Sequence, residues 1–99
     1  RVESVFTNGV FRGPIRTRRC VVPASGWFEW KAEAGGKQPY RLIRRDQGTV
    51  FFAGVYEHAE PPELGPVDTF ALLTRAAAPE LAAVHERMPV VLEAADVGA

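Results

Sequence analysis

The sequence is poor in the residue types that build disulfides, metal sites and membrane spans. Its 99 residues include one cysteine and two histidines, so an intramolecular disulfide is excluded and a reducing compartment is indicated. No CxxC pair or histidine cluster indicates a metal, and we expect none. No apolar run is long enough to cross a bilayer, so we expect no membrane contact. The length predicts at most one domain.

The net charge is zero, but the two signs are unevenly distributed along the chain. Residues 1–45 contain ten Lys and Arg against three acidic residues, a net of +7, and residues 46–99 contain two against nine, a net of −7. A basic half that also contains aromatic residues is what a nucleic-acid surface requires. Charge alone favours the alternative, in which the two halves are solvated faces that pair after folding.

Apolar patterning predicts an α+β fold that is rich in strands. Turn residues break up residues 1–19, where we expect short helical turns or loop. Residues 20–22 and 27–31 are predicted to pair around a Pro-Ala-Ser-Gly turn, and residues 79–85 are predicted to form a short helix that begins at proline. With short helices beside it, one antiparallel or mixed sheet of about six strands is expected from the apolar segments 20–22, 27–31, 40–44, 50–56, 69–74 and 88–92.

Glu29 is the most informative polar residue, because it lies within the aromatic segment Trp27 to Trp30. Successive side chains on a strand alternate between faces, so Glu29 shares a face with Trp27, while Phe28 and Trp30 share the other. A carboxylate in that company is costly to bury unless it has a partner or a chemical task. The alternative is a surface carboxylate on an edge strand. We expect Trp30 to contribute mainly to packing.

Cys20, His85 and Glu29 together permit a Cys-His-Glu hydrolase interpretation. A lone cysteine in a β-branched segment is more often a small buried hydrophobe, and we favour that interpretation for Cys20. Histidine is the side chain most readily tuned for proton transfer near neutral pH, although a lone histidine at a helix end is more often a cap or a packed residue. His58 is expected to be exposed to solvent.

Five separate blocks of the sequence resemble the SOS-response-associated peptidase (SRAP) family, in the family's order and nearly end to end. They are RRCVVPASGWFEWK at 18–31, KQPY at 37–40, FAGVY at 52–56, TFALLT at 69–74 and HERMPVVL at 85–92. The resemblance implies an SRAP-like fold. It also implies that Glu29 and His85 match the family's catalytic glutamate and histidine, and that Cys20 matches a non-nucleophilic position.

The resemblance further implies a sensor of abasic sites in single-stranded DNA. Arg1 and Arg87 match arginines that line the DNA groove, Trp27 is a candidate for stacking on bases, and Thr74 is an additional contact candidate. In this family an N-terminal cysteine, exposed by removal of the initiator Met, captures the sugar aldehyde as a thiazolidine crosslink. No cofactor is required. The implied protein is a monomer in the cytoplasm that joins the nucleoid after damage.

The sequence departs from the family pattern at its start, which follows directly after the expected Asn-Ala. We therefore expect residues 1–99 to form the middle and C-terminal part of an SRAP domain, with the N-terminal cysteine outside this chain. Residues 1–99 by themselves are then expected to be inactive in crosslinking. The main alternative is a module that binds single-stranded nucleic acid without covalent chemistry. The second alternative is the hydrolase that uses Cys20.

Overall fold

Eight strands and three very short helices make up the part of the chain that the structure, a computed structural model, describes, residues 1–98. The helical elements are a 3₁₀ turn at Val2–Ser4, α1 at Pro14–Thr17 and a 3₁₀ turn at Ala94–Asp96. The strands are β1 Arg19–Ala24, β2 Trp27–Glu33, β3 Gly36–Leu42, β4 Val50–Ala59, β5 Val67–Leu72, β6 Thr74–Ala76, β7 Arg87–Pro89 and β8 Val91–Leu92. The strand-rich α+β prediction agrees with this content.

The strands form three antiparallel sheets, rather than the single sheet of about six strands that the sequence predicted. The long strand β4 is central, with β1 on one edge and β5 and β8 on the other. The other two sheets are the pairs β2–β3 and β6–β7. Every pairing among residues 1–98 is antiparallel, which removes the mixed-sheet alternative.

Two predicted strands, 69–74 and 88–92, are each broken at one residue by a main-chain link to β4. The Leu73 N–H donates to Ala53, the Ala53 N–H donates to Val90, and the Val90 N–H donates back to Leu73, with distances of 2.9, 3.0 and 2.9 Å. These bonds divert Leu73 and Val90 from their own strands. The interruption accounts for the two strands beyond the predicted six.

The predicted pairing of β1 with β2 is wrong. Val21 of β1 lies opposite Ala53 of β4, and β2 pairs with β3 instead. Gly26, between β1 and β2, already lies against the end of β3, since a Cβ there would lie 2.5 Å from the main-chain oxygen of Leu42. The chain therefore meets β3 directly after the turn, and β1 pairs with β4.

The predicted helix over residues 79–85 is also absent. The stretch forms successive turns, in which Leu81 and Ala82 donate to Ala78, and Val84 and His85 donate to Leu81. A segment this short gains too few hydrogen bonds to offset the cost of nucleating a helix.

The hydrophobic core lies between β4 and the N-terminal segment. Val5, Ile15, Val55 and Leu73 form its buried cluster. Val50 and Phe52 are also buried, so the even-numbered face of β4 is covered near its start. No helix in residues 1–98 has the length and apolar character needed to cross a bilayer.

Candidate functional site

Strand β2 presents Glu29 on its inner face, as the alternation predicted. Trp27, Glu29 and Lys31 are half-buried, whereas Phe28 and Trp30 are exposed. Trp27 packs edge-on against the buried ring of Phe52, with ring centres 5.6 Å apart and planes at 81°. The Glu29 side chain retains 20% of its exposure. The hairpin is therefore anchored to β4 at Trp27, which fixes the carboxylate two residues further along.

His85 lies at the end of the turns that precede β7, and its ring meets Glu29. The distance between His85 Nδ1 and Glu29 Oε2 is 3.8 Å. The same nitrogen is 3.1 Å from the main-chain nitrogen of Arg87 and 3.0 Å from the main-chain oxygen of Arg87. The two residues that the sequence singled out for proton transfer thus come together in the structure, although far apart in the chain.

Arg87 is held by the carboxylate of Glu3, which was not among the predicted site residues. Its Nη1 and Nη2 each donate to one oxygen of Glu3 at 2.8 Å, and Nη2 also donates to Thr74 Oγ1 at 3.1 Å. The Arg87 side chain is only 18% exposed. The one signal for Glu3 in the sequence was its place in the Arg-Val-Glu segment at the start of the chain.

The Glu3–Arg87 pair is strongly ionised. The double hydrogen bond from Arg87 lowers the pKa of Glu3 to about 2. The same contact with Glu3 raises the pKa of Arg87 above its ordinary value. The Ala76 N–H adds a third hydrogen bond to Glu3, at 3.3 Å. Both groups therefore remain charged across the working pH range.

The residues predicted to contact DNA differ in their exposure and in their neighbours. Arg1 is exposed, and its main-chain oxygen accepts from Ser4 at the start of the 3₁₀ turn that carries Glu3. Thr74 begins β6 and contacts Arg87. Trp27 is half-buried, and its indole nitrogen is buried without an acceptor among residues 1–98. Thr74 and Arg87 are thus brought into contact.

Trp30 is exposed, which contradicts the packing role expected of it. Trp30 and Phe28 retain 52% and 57% of their exposure and lie beside each other, with ring centres 6.4 Å apart. The reason is that the β2–β3 sheet has only two strands, and within residues 1–98 this face is left largely open to solvent. The tip of the hairpin turns at Gly36, whose φ of 126° suits glycine.

A cleft of about 370 Å³ lies between the hairpin and the turns that lead to His85. Trp30, Lys31 and Lys37 line it on one side, and residues 82–86 line it on the other. The cleft therefore combines an aromatic surface, two ammonium groups and the catalytic candidate His85.

Cys20 lies in a different part of the molecule. It is on β1 opposite Gly54 of β4, and it lines a separate apolar cavity of about 360 Å³. The ring nitrogen of His85 is engaged by Arg87 and Glu29 instead. Cys20 is half-buried rather than fully buried, and the lining of its cavity includes neither His85 nor Glu29. No group of three or more His, Cys, Asp and Glu side chains within residues 1–98 is arranged to hold a metal ion.

Comparison with known proteins gives a consistent set of relatives. The family model described as SOS response associated peptidase (SRAP) matches residues 1–99. An abasic site processing protein of Saccharomyces cerevisiae is 40% identical over 93 residues, which are 94% of this chain and 24% of that protein. The abasic site processing protein YedK of Escherichia coli is 37% identical over 93 residues, which are 93% of this chain and 41% of YedK.

Solved structures share the fold. The X-ray structure of a protein from Bacteroides thetaiotaomicron has a TM-score of 0.88 and 29% identity, covering 97% of this chain and 43% of that one. A Bordetella bronchiseptica protein has a TM-score of 0.88 at 24% identity, covering 99% of this chain and 50% of that one. The chain spans between about a quarter and two-fifths of the length of the two curated relatives described above.

Proposed function

This chain belongs to the SOS response associated peptidase family, and we propose that it takes part in processing abasic sites in single-stranded DNA. The observation that supports this function best is the approach of His85 Nδ1 to Glu29 Oε2, at 3.8 Å, beside the cleft. Relatives at 37% and 40% identity are named abasic site processing proteins. From the same family membership we propose that the protein is a cytoplasmic monomer that acts at the nucleoid after DNA damage.

The proposed reaction is thiazolidine formation at the ring-opened abasic sugar. The amine of an N-terminal cysteine attacks the aldehyde carbon and loses water to give an imine. The thiol then adds to the imine carbon, and its proton passes to the nitrogen, which closes a five-membered ring. One water leaves in total, and no oxidant or cofactor is consumed. Removal of an initiator Met by the same site is the proposed peptidase activity.

Glu29 and His85 would move the protons in these steps. The Arg87 main chain and Glu29 surround His85 Nδ1, so Nε2 is the nitrogen offered to substrate. Opening the sugar ring needs a proton delivered to the ring oxygen and one removed from the hydroxyl on the anomeric carbon. An acid and a base less than 4 Å apart suit that exchange. Cys20 takes no part in this scheme.

We further propose that Arg1, Arg87, Trp27 and Thr74 contact the DNA. Guanidinium groups bind phosphate oxygens in a two-pronged geometry. Arg1 is exposed and therefore accessible to a phosphate group. Because Glu3 and Thr74 take both protons of Nη2 and Glu3 takes one of Nη1, a phosphate contact by Arg87 would use the second proton of Nη1.

A second candidate function, binding of single-stranded nucleic acid without covalent chemistry, is favoured by the exposed aromatic pair. Phe28 and Trp30 offer stacking surfaces, and Lys31 and Lys37 line the adjacent cleft. Stacking on an aromatic side chain contributes about 1–3 kcal/mol per base, whatever the base.

A denaturing gel with single-stranded DNA that carries one abasic site tests the proposal, using the protein at its natural length. We expect a shifted band with the wild type. Glu29→Gln and His85→Ala should slow its appearance by about 100- to 10,000-fold, the usual contribution of general acid–base catalysis. Glu33→Gln on the same strand and His58→Ala on β4 are matched controls, and both should crosslink normally.

The other outcomes separate the two candidates. No crosslink with the wild type, but retention of the same DNA on a native gel, would replace the first function with the second. If Glu29→Gln and Glu33→Gln lowered the crosslinking rate equally, the site would have been assigned to the wrong carboxylate. Absence of both crosslinking and binding would overturn both functions.

A further inference from the structure

Glu3 joins the N-terminal segment to both strands of the β6–β7 sheet. Its carboxylate accepts two hydrogen bonds from the Arg87 side chain on β7 and one from the Ala76 N–H on β6. Arg87 and Ala76 are register partners in that sheet. A single side chain therefore fixes the end of the sheet from which the chain continues to His85.

The contact between the Glu3 and Arg87 side chains holds both groups in a fixed position. A two-pronged guanidinium–carboxylate pair constrains both distance and angle, and the pair is supported by Thr74 on Arg87 Nη2. The Arg87 Nε is buried without a hydrogen-bond partner within residues 1–98. Losing the carboxylate would leave this half-buried guanidinium with Thr74 alone, and we expect β7 to shift as it finds new partners.

The main chain of the same Arg87 determines the surroundings of His85. Its N–H is 3.1 Å and its carbonyl oxygen 3.0 Å from His85 Nδ1. When the ring is neutral with its proton on Nε2, Nδ1 accepts from the N–H. When the ring is charged, Nδ1 donates to the carbonyl oxygen, with Glu29 at 3.8 Å as the nearby counter-charge. The ring can change protonation state without turning.

We propose that Glu3 is a positioning residue for His85: by holding the Arg87 side chain, it keeps the Arg87 main chain against His85 Nδ1 and so fixes which ring nitrogen carries the proton when the ring is neutral. The catalytic consequence rests on the proposed function, whereas the structural statement does not. Glu3 acts through Arg87 and needs no contact with the substrate.

Nitrogen NMR of the imidazole in the natural-length protein tests the structural statement directly. In the wild type, with the ring neutral, we expect one tautomer to dominate, because the Arg87 main chain is held against Nδ1. In Glu3→Gln the other tautomer should become appreciably populated, because the Arg87 main chain is no longer held in place. Glu3→Asp, which keeps the charge, should restore part of the wild-type pattern. Glu63→Gln, at an exposed loop position, should leave the pattern unchanged.

Arg87→Lys provides a second route to the same result if Glu3→Gln folds poorly. A lysine cannot make the two-pronged contact, yet it retains the main-chain atoms that face His85. It should therefore change the tautomer ratio as Glu3→Gln does. A tautomer ratio that is unchanged in both folded variants would overturn the proposal.

Crosslinking rates measured across pH test the catalytic consequence. Glu3→Gln should lower the maximal rate by up to about 100-fold, since a misplacement of the acting group by about 1 Å costs that much, and should move the pH dependence assigned to His85. A rate loss with an unaltered pH profile and an unaltered tautomer would mean that Glu3 acts on substrate directly, against the proposal. If the wild type forms no crosslink, the proposed function fails while the NMR result still decides the role of Glu3.

Discussion

Strand β4 and the β2–β3 hairpin differ in their burial and in the number of their strand partners. β4 has partners along both edges and buries Val50, Phe52 and Val55 to 4% exposure or less. The hairpin pairs only with itself, and every residue of β2 and β3 is half-buried or exposed. Yet the hairpin, and not β4, carries Glu29.

The difference teaches that the buried strand and the strand that carries the candidate catalytic carboxylate are separate elements. Elements that meet a ligand are usually drawn from the less stable part of a fold. Here the aromatic contact of Trp27 with Phe52 joins the two regions. Phe52 should thus matter to both, and each prediction below tests how sharply the regions are divided.

The largest effect is expected from Phe52→Ala. Removing this buried ring should lower the free energy of unfolding by about 3–5 kcal/mol, because it leaves a cavity and removes the support of Trp27. Urea denaturation measures the change. Phe70→Ala is the matched control on β5, where the ring is 61% exposed, and it should stay within about 0.5 kcal/mol of the wild type. Similar losses in the two variants would contradict the division between the regions.

Gly26→Ala should have the next largest effect, at the junction of the two regions. The added Cβ would lie 2.5 Å from Leu42 O and 2.9 Å from Ile43 Cγ2, so the hairpin must move. We expect a loss of about 1–3 kcal/mol in the free energy of unfolding, as for other overpacked sites. Gly9→Ala, with open space around the new Cβ, should change it by less than about 1 kcal/mol. A harmless Gly26→Ala would show that the hairpin adjusts freely.

Short-range features of this site could be predicted from sequence because they depend on strand geometry alone. Alternation along β2 correctly grouped Glu29 with Trp27 and set Phe28 and Trp30 on the other face. The same reasoning failed for the burial of Trp30, because burial depends on whether a further element covers the sheet. Pattern within one segment contains no information about that neighbour.

Long-range features could not be predicted in this way. The exchange of partners puts β1 on β4 and brings Gly26 close to Leu42, a contact that exists only in the folded chain. The Glu3–Arg87 pair joins the two ends of the sequence, and residue type alone gave no reason to connect them. The resemblance to SRAP proteins supplied Glu29 and His85, and the structure brings these two together while their catalytic roles remain proposals.

The smallest effect is expected at the far end of β4, where His58 lies between Asp68 and Glu60 at 2.7 and 3.4 Å. The hydrogen bond with Asp68 raises the pKa of His58 above its ordinary value of 6.5. A raised histidine pKa stabilises the fold fully below 6.5, and this contribution is lost as the pH rises through the folded-state value. His58→Gln should therefore melt slightly earlier than the wild type below 6.5, and the gap should close at alkaline pH.

Thermal melts at several pH values measure this difference, with Glu63→Gln as the control that leaves the histidine intact. A gap that widened with rising pH would contradict the sign of the pKa shift. A large difference in melting temperature at any pH would mean that the end of β4 contributes to stability as much as its middle. That result would contradict the comparison between the two regions.

The hydrogen bonds that tie Leu73 and Val90 to Ala53 have a consequence for how this family can diversify. Leu73 and Val90 lie at the two ends of the stretch that carries His85, so these bonds hold both ends of that stretch on the β4 sheet. Lengthening a loop between fixed ends costs only about 0.6 kcal/mol per doubling. Insertions and substitutions in the turns at 79–84, between β6 and β7, can therefore accumulate in evolution and re-shape what the cleft accepts, while the sheets retain their register.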